Sequence, residues 1–521
     1  MKKLVSMILC LAMVLGISAF ALAEDSVYPI AGDIHLTYFG QLHKKVAAAY
    51  SGWEDLDVVQ EWFKTTGVTL DFQCPPAGMV KEQFNLMLAS GDYTDLIVHT
   101  MVQLEGGLTK LYEDGVIIDL TEYLPEYAPN YWKYLTENPD VMKEVCNDDG
   151  RIFCFVFAKG GGYLLSTQGP IVRGDILTDL GIESPKTIDE WEEMLRAVKS
   201  AYPDMIPFTG YIDDLLYAFS PAYGTSWGEW YEDDEGKAHY APIEGNFKEY
   251  LTRMNKWYQE GLIDNDFVAL TNDDAGVDNK MSAGIAFATF GAGSAQIAAY
   301  MKANADSETF STIGVRVPTL DAAEQAKYTT EYSATANNQC AISTSCKNVE
   351  AAIRMLDWGY GEEGNRRLNW GVEGVSYELD ENGEPHYTEL VLNNPDGLSI
   401  DAALANYALV AVKGPAMLVQ DPRFMMDYYA LDEQKQAMQS WSDKDLTSHL
   451  FPNVSYTEEE SSGLTSLMSD ITTYTDSMII KFIVGTEPLE NFDSYVQTVK
   501  NMGIDNALDI QQAAVDRYNA R

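Results

Sequence analysis

The chain is poor in cysteine, histidine and positive charge, and each scarcity removes a class of protein. Six cysteines in 521 residues are too few for a disulfide-built scaffold. With Cys10 set aside, the other five, Cys74, Cys146, Cys154, Cys340 and Cys346, are an odd number, so at least one stays unpaired. Cys146 with Cys154, or Cys340 with Cys346, would close a local loop, but buried free thiols are the expectation, and no spacing matches a zinc site. The six histidines are scattered, with no H-E-x-x-H pair and no phosphate-binding Walker loop, so no metal or cofactor is expected. Lysine and arginine number 35 against 79 aspartates and glutamates, a net charge of −44. Nucleic acid is excluded as a partner, because phosphate binding needs a basic footprint. Such acidity instead keeps a chain soluble and its copies apart, in keeping with a monomer. One long apolar run exists, residues 4–22, behind Lys2 and Lys3 and closing on Ala21-Leu22-Ala23. That is the pattern of a secretory signal peptide, residues 1–23, cut near Ala23, which places the mature chain outside the cytoplasm.

What is present is core-forming residue. A content of 46% hydrophobic and 12% aromatic residues over this length predicts more than one packed domain. Residues 34–39, 68–72 and 95–99 alternate or run apolar like strands, with helical spacing through Trp62 and over 81–89 between them. Strand, helix, strand, helix, strand implies a largely parallel sheet. Ligands bind beyond the carboxyl ends of such strands, which makes 40–53 and 99–107 candidate cleft loops. A further strand is expected near 151–157, followed by Gly160-Gly161-Gly162, a run able to absorb backbone rotation. Thr187 with Glu190 three residues later forms a capping box for a helix through Lys199. Residues 314–318 read as a strand, and 464–483 as the clearest of the late helices.

Two short motifs do not survive their context. Gly224-Thr225-Ser226-Trp227-Gly228 fits the G-x-S-x-G elbow, which exposes a nucleophilic serine between a strand and a helix, but an acidic aromatic loop follows it. Gly359-Tyr360-Gly361-Glu362-Glu363-Gly364 fits G-x-G-x-x-G, yet it follows a helix and places two glutamates where a pyrophosphate would lie. No catalytic residue is assigned. What remains is aromatic: a saccharide offers apolar C–H faces ringed by hydroxyls, so its cleft needs flat aromatic surfaces beside a few polar groups. Trp227 and Trp230, and Trp370 and Tyr377, are the candidates, with His99 and Gln103 after the third strand as polar contacts. Trp53, Trp62, Trp191, Trp257 and Trp358 lie at helical positions and are expected in the core.

The segment 347–377, KNVEAAIRMLDWGYGEEGNRRLNWGVEGVSY, joins a helix, with Asn348 at its start and Gly359 and Gly361 at its stop, to a glycine-punctuated loop expected to carry Trp370 and Tyr377 on a rigid turn. It closely resembles the extracellular solute-binding proteins of family 1, in the lipoprotein-like branch linked to complex-sugar ABC importers. The resemblance recurs in FNLMLASGDYTDLI at 84–97, RGDILTDLGIESPKTIDEWEEML at 173–195, WYQEGLIDNDF at 257–267 and the final DRYNAR. It implies an α/β, two-lobed periplasmic-binding-protein fold of type II-like form, its lobes built from discontinuous segments around a hinge. The expected division is 24–157 plus 329–400 for the first lobe and 158–328 plus 401–521 for the second, with Gly160, Gly161 and Gly162 at the hinge.

The resemblance also implies capture of an oligosaccharide or related sugar between the lobes and its delivery to the membrane permease of an ABC importer. The family's lipidated cysteine after the signal peptide has no counterpart here, since Cys10 lies inside the apolar run. Alternatives are a secreted carbohydrate-active enzyme, a binding protein for another solute such as a peptide, and a surface adhesion protein.

Overall fold

The protein's architecture is taken from a computed structural model that describes residues 27–99, 106–226, 229–270, 275–329, 338–448 and 450–521. The expected leader, Gln103 and Trp227 lie outside the described residues. Strands β1 (Ile34–Phe39), β2 (Val68–Gln73), β3 (Leu96–His99), β4 (Cys154–Val156) and β12 (Gln339–Ile342) form one sheet in the order β2-β1-β3-β12-β4. β1, β2 and β3 are parallel, and β12 runs against both β3 and β4. A second sheet is ordered β11-β6-β10-β7, from β6 (Gln168–Arg173), β7 (Ile206–Phe208), β10 (Ala286–Ala292) and β11 (Thr312–Gly314). Pairing of β11 stops at Gly314, short of the expected 314–318 strand.

The first strands form for the reason their alternation suggests. Leu36 and Tyr38 of β1 are buried, and Thr37 between them fixes the neighbouring strand by accepting from the Asp95 N–H at 2.9 Å while its own N–H and hydroxyl donate to the Asp95 carboxylate at 2.7 and 2.8 Å. The Ile188–Ala201 helix opens with the predicted capping box: Thr187 Oγ1 accepts from the Glu190 N–H at 3.2 Å, and Glu190 Oε2 accepts from the Thr187 N–H at 3.0 Å. Such a box satisfies two amides that no helical carbonyl can reach. Trp53, Trp62, Trp191, Trp257 and Trp358 are all buried, and the indoles of Trp62 and Trp257 donate to the Met355 carbonyl and to Glu192. All five described cysteines are free, four of them buried.

Each sheet has its own core. Residues of β1 to β4, β12 and the Val349–Asp357 helix form the first, joined by Ala405, Leu409, Val412 and residues 416–418 from the segment expected in the second lobe. The second gathers β6, β7 and β10 with the helices Ile188–Ala201, Gly245–Gln259 and Glu458–Val484. A third cluster lies beside the second sheet, where Ala437, Met438 and Trp441 of the Asp432–Trp441 helix pack with Ile171 and Ala286, and the Trp441 indole donates to the Pro170 carbonyl at 3.1 Å.

The chain passes between the sheets three times: from β4 to β6, from β11 to β12, and after residue 418 towards the Asp432–Trp441 helix. The first and third passages run side by side, because β5 (Ala158–Lys159) pairs in parallel with β15 (Val419–Gln420). Hinge closure in two-lobed proteins takes place about crossings of this kind.

Candidate functional site

An α/β sheet receives a ligand beyond the carboxyl ends of its parallel strands, and the first element described after β3 is the Gly107–Glu113 helix. A cavity of about 600 Å³ lies where the lobes meet. From the first lobe it takes Gly106 to Thr109, which open the Gly107–Glu113 helix, together with Glu144 to Asn147 and Phe153. From the second it takes Asn453 to Tyr456, the face Ser461, Ser462, Thr465 and Ser466, and Arg521. Those four hydroxyls fall one turn apart in pairs on the Glu458–Val484 helix, so they share a side of it. The helix start is held by a second capping box, Thr457 Oγ1 accepting from the Glu460 N–H at 3.2 Å and Glu460 Oε2 from the Thr457 N–H at 2.9 Å. The four hydroxyls of the second lobe share the lining with Leu108, Val145 and Phe153 and with Thr109, Glu144 and Asn147 of the first, so the cavity mixes hydrogen-bonding and apolar groups. Small-ligand sites combine the two in this way.

Closer to the crossings, Lys45 in the short Lys44–Ala47 helix after β1 donates to Asp401 at 2.7 Å and to the hydroxyl of Tyr428, in the third passage, at 2.6 Å. His43 beside it is held neutral, at about 4, by burial and by Lys45 and the other lysines nearby. On the second lobe Asp214 sits in the first turn after β7, its carboxylate accepting the Tyr211 N–H at 2.9 Å. Burial pushes its carboxyl up to about 7. Glu229 is raised as well, first by burial and then by Asp476. Among the described residues no group of three or more His, Cys, Asp or Glu is placed to hold a metal.

The expected site residues scatter. His99 ends β3, half-buried and edge-on to Phe84 at 4.7 Å between ring centres. Trp230 is in a strand, β8 (Trp230–Glu232), that pairs with β9 (Ala238–Tyr240) where an irregular acidic loop was expected; its ring packs on Tyr240 at 4.8 Å. Gly160, Gly161 and Gly162 follow β5 directly, and a Cβ on Gly160 would fall 2.0 Å from the Gln420 carbonyl oxygen, so the two crossing strands approach this closely only over a glycine.

The turn expected to carry Trp370 and Tyr377 requires a correction; both stand in regular elements, and they line a separate cavity of about 530 Å³. Each is 2% exposed, packed in the third core and outside the lining of the interlobe cavity. Trp370 is the last residue of a second helix, Glu362–Trp370, and Tyr377 the first of β13 (Tyr377–Leu379), which pairs with β14 (Pro385–Tyr387). The Trp370 indole donates to Asp421 at 3.0 Å and its ring lies 4.9 Å from Tyr387. The expectation misread what the glycines do. A Cβ on Gly359 would meet the Met417 carbonyl at 2.0 Å, so this glycine serves close packing of its helical turn against the irregular segment before β15 and does not open a loop. Asn348 precedes the Val349–Asp357 helix without a side-chain cap bond. Sequence reading also missed the Ser461, Ser462, Thr465, Ser466 face, whose signal was present as hydroxyls at helical spacing.

Two α/β lobes, each with its own sheet, three crossings between them and a cavity lined from both sides define a two-domain solute-binding fold. Residues 47–366 match the family model of the bacterial extracellular solute-binding proteins, and the chain belongs to that family. It is 23% identical over 492 residues to the fructooligosaccharide ABC transporter substrate-binding protein FusA of Streptococcus pneumoniae serotype 4, covering 89% of this chain and 87% of that one. With the polygalacturonan/rhamnogalacturonan-binding protein YtcQ of Bacillus subtilis it shares 24% identity over 216 residues, 40% of this chain and 41% of the other. Among solved structures, the fold matches an HMO-binding ABC-transporter-associated solute-binding protein from Bifidobacterium longum infantis at a TM-score of 0.71, with 18% identity over 94% of this chain and 99% of that one. It matches the alginate-binding protein AlgQ2 at 0.68, with 21% identity over 95% and 100%. No helix among the described residues is long and apolar enough to cross a membrane.

Proposed function

We propose that the chain is the extracellular substrate-binding component of an ABC importer, that it holds an oligosaccharide between its lobes and that it presents the closed complex to a membrane permease. The observation that carries this reading is the cavity of about 600 Å³ lined from both lobes by hydroxyl, other polar and apolar side chains. The relatives named for fructooligosaccharides and polygalacturonan support the saccharide class. Closure works because a ligand touching both lobes gains contacts only in the closed state, so binding shifts the population towards it. Gly160 to Gly162 at the β5–β15 crossing serve as the hinge. Ligand contacts come from the cavity lining, the serine and threonine face of the second lobe included, while His99 and Trp230 are candidates outside that lining and Gln103 and Trp227 candidates outside the described residues. The chain binds its sugar without turning it over. It acts as a monomer, secreted or at the extracellular face of the cell membrane, after cleavage of its leader near Ala23.

A thermal-shift panel of fructooligosaccharides, pectic, milk and alginate oligosaccharides tests this. A sugar at about a thousand times its dissociation constant adds roughly 4 kcal/mol to stability. No shift with any member of the panel refutes the saccharide reading, and release of shorter sugars by pure protein refutes the absence of turnover.

A further inference from the structure

The helix Ile504–Asn519 belongs to the second lobe: its Gln512 holds the β8–β9 hairpin through the Ala238 N–H at 2.8 Å and the Gly236 carbonyl at 2.9 Å. Two arginines at and beyond its end nevertheless reach into the first lobe. Arg521 donates from Nε and Nη2 to Asp148 Oδ1 at 2.9 and 2.6 Å, and from Nη1 to the Lys143 carbonyl at 2.8 Å. Arg517 donates from Nε to Asp148 Oδ2 at 2.9 Å. Asp148 sits on the turn between the Pro139–Val145 helix and β4, both packed in the first core. On the second-lobe side the guanidinium of Arg517 is aimed by Glu460, at 2.9 and 2.6 Å, and Arg521 by Ser455 Oγ at 2.8 Å. The Arg521 side chain is 1% exposed, and it lines the interlobe cavity.

We propose that Asp148, Arg517 and Arg521 form an interlobe latch, positioning residues that set the balance between open and closed lobes and through it the ligand affinity. The inference rests on the reading that the lobes close over a ligand. One carboxylate receives both guanidinium groups with each of its oxygens engaged, and none of the three residues belongs to a crossing, so the contact exists only while the lobes meet. Charge-assisted bonds of this kind are short and directional. Opening gives up these bonds and returns the guanidinium groups and Asp148 to water, so the pairs favour the closed state only by their modest net worth. In a chain of net charge −44, approach of the lobes brings like charge together, and a local pair of opposite sign offsets that repulsion where the cavity is sealed. Two partly exposed pairs shift a closed-to-open ratio by roughly two- to tenfold.

Small-angle scattering of the ligand-free chain tests the latch without knowledge of the sugar. Asp148→Asn is expected to enlarge the radius of gyration while leaving the circular dichroism spectrum of two folded lobes intact, and Asp148→Glu, which keeps the charge, is expected to hold the parent value. An unchanged radius in Asp148→Asn overturns the latch, as does equal opening in Asp148→Glu, which would make the turn's shape decisive. Loss of helical signal in Asp148→Asn also counts against it, because the substitution lies on an exposed turn outside the core. If no saccharide stabilises the parent protein while Asp148→Asn still opens it, the latch stands and the ligand class falls.

Discussion

Replacing Trp370 with alanine should cost stability far more than affinity, and the structure sets the size of the effect. The indole is 2% exposed in the third core, against Tyr387 and Tyr377 at 4.9 and 6.2 Å between ring centres. A buried aromatic of this kind removes about 150–250 Å² from water, worth about 4–6 kcal/mol at the usual area coefficient, an upper bound because unfolded chains already bury part of it. Measured tryptophan-to-alanine changes fall at about 3–5 kcal/mol. The lost hydrogen bond to Asp421 adds little, since that carboxylate keeps Arg423 at 2.5 Å. We expect a loss of about 4 kcal/mol, read as a lower urea midpoint by circular dichroism at unchanged slope. Trp370→Phe should recover most of it. A loss under about 1 kcal/mol together with abolished ligand binding would refute the packing assignment and restore Trp370 as a ligand surface.

Three further outcomes are expected. Gly160→Ala forces a methyl to within 2.0 Å of the Gln420 carbonyl, and overpacking of that kind costs about 1–3 kcal/mol; equal stability and equal ligand-induced compaction in scattering would show that the crossing tolerates a side chain. In the folded chain the Asp214 carboxyl titrates at about 7 against about 4 in an unfolded one, so between those values the folded state binds the extra proton and stability falls as pH rises. Asp214→Asn should therefore flatten the pH profile of Tm from 4 to 7 and be the more stable form above it, by up to about 4 kcal/mol; a profile parallel to the parent's would sink the assignment. Ser462→Ala with Thr465→Ala removes two hydroxyls from the cavity wall and should weaken saccharide binding while leaving Tm within about 1 kcal/mol of the parent; isothermal calorimetry showing unchanged affinity would remove that wall from the site.

Much of the fold is legible along the chain because its causes are local. The alternation of residues 34–39, the Thr187 and Glu190 cap and the tryptophans at helical spacing each depend on neighbours a few residues away. All of them appear as read, down to the hydrogen bonds of the capping box. The segment 347–377 has a spacing that predicts the first helix, Val349–Asp357, but not the second, Glu362–Trp370. Its glycines look like loop punctuation until Met417, some sixty positions later, is found against Gly359. Trp230 was placed in a loop for a similar reason, since the strand it belongs to is defined by its partner β9.

The family, the strand and helix alternation at the start of the first lobe and the chain's acidity are all written in the sequence. These follow from composition, periodicity and short-range backbone chemistry. Which aromatic rings are buried, which hydroxyls face the cavity, and which arginines bridge the lobes were decided only in three dimensions. A tryptophan is equally suited to a core or to a sugar face, and a single carboxylate such as Asp148 gains its meaning from guanidinium groups more than three hundred and sixty residues away.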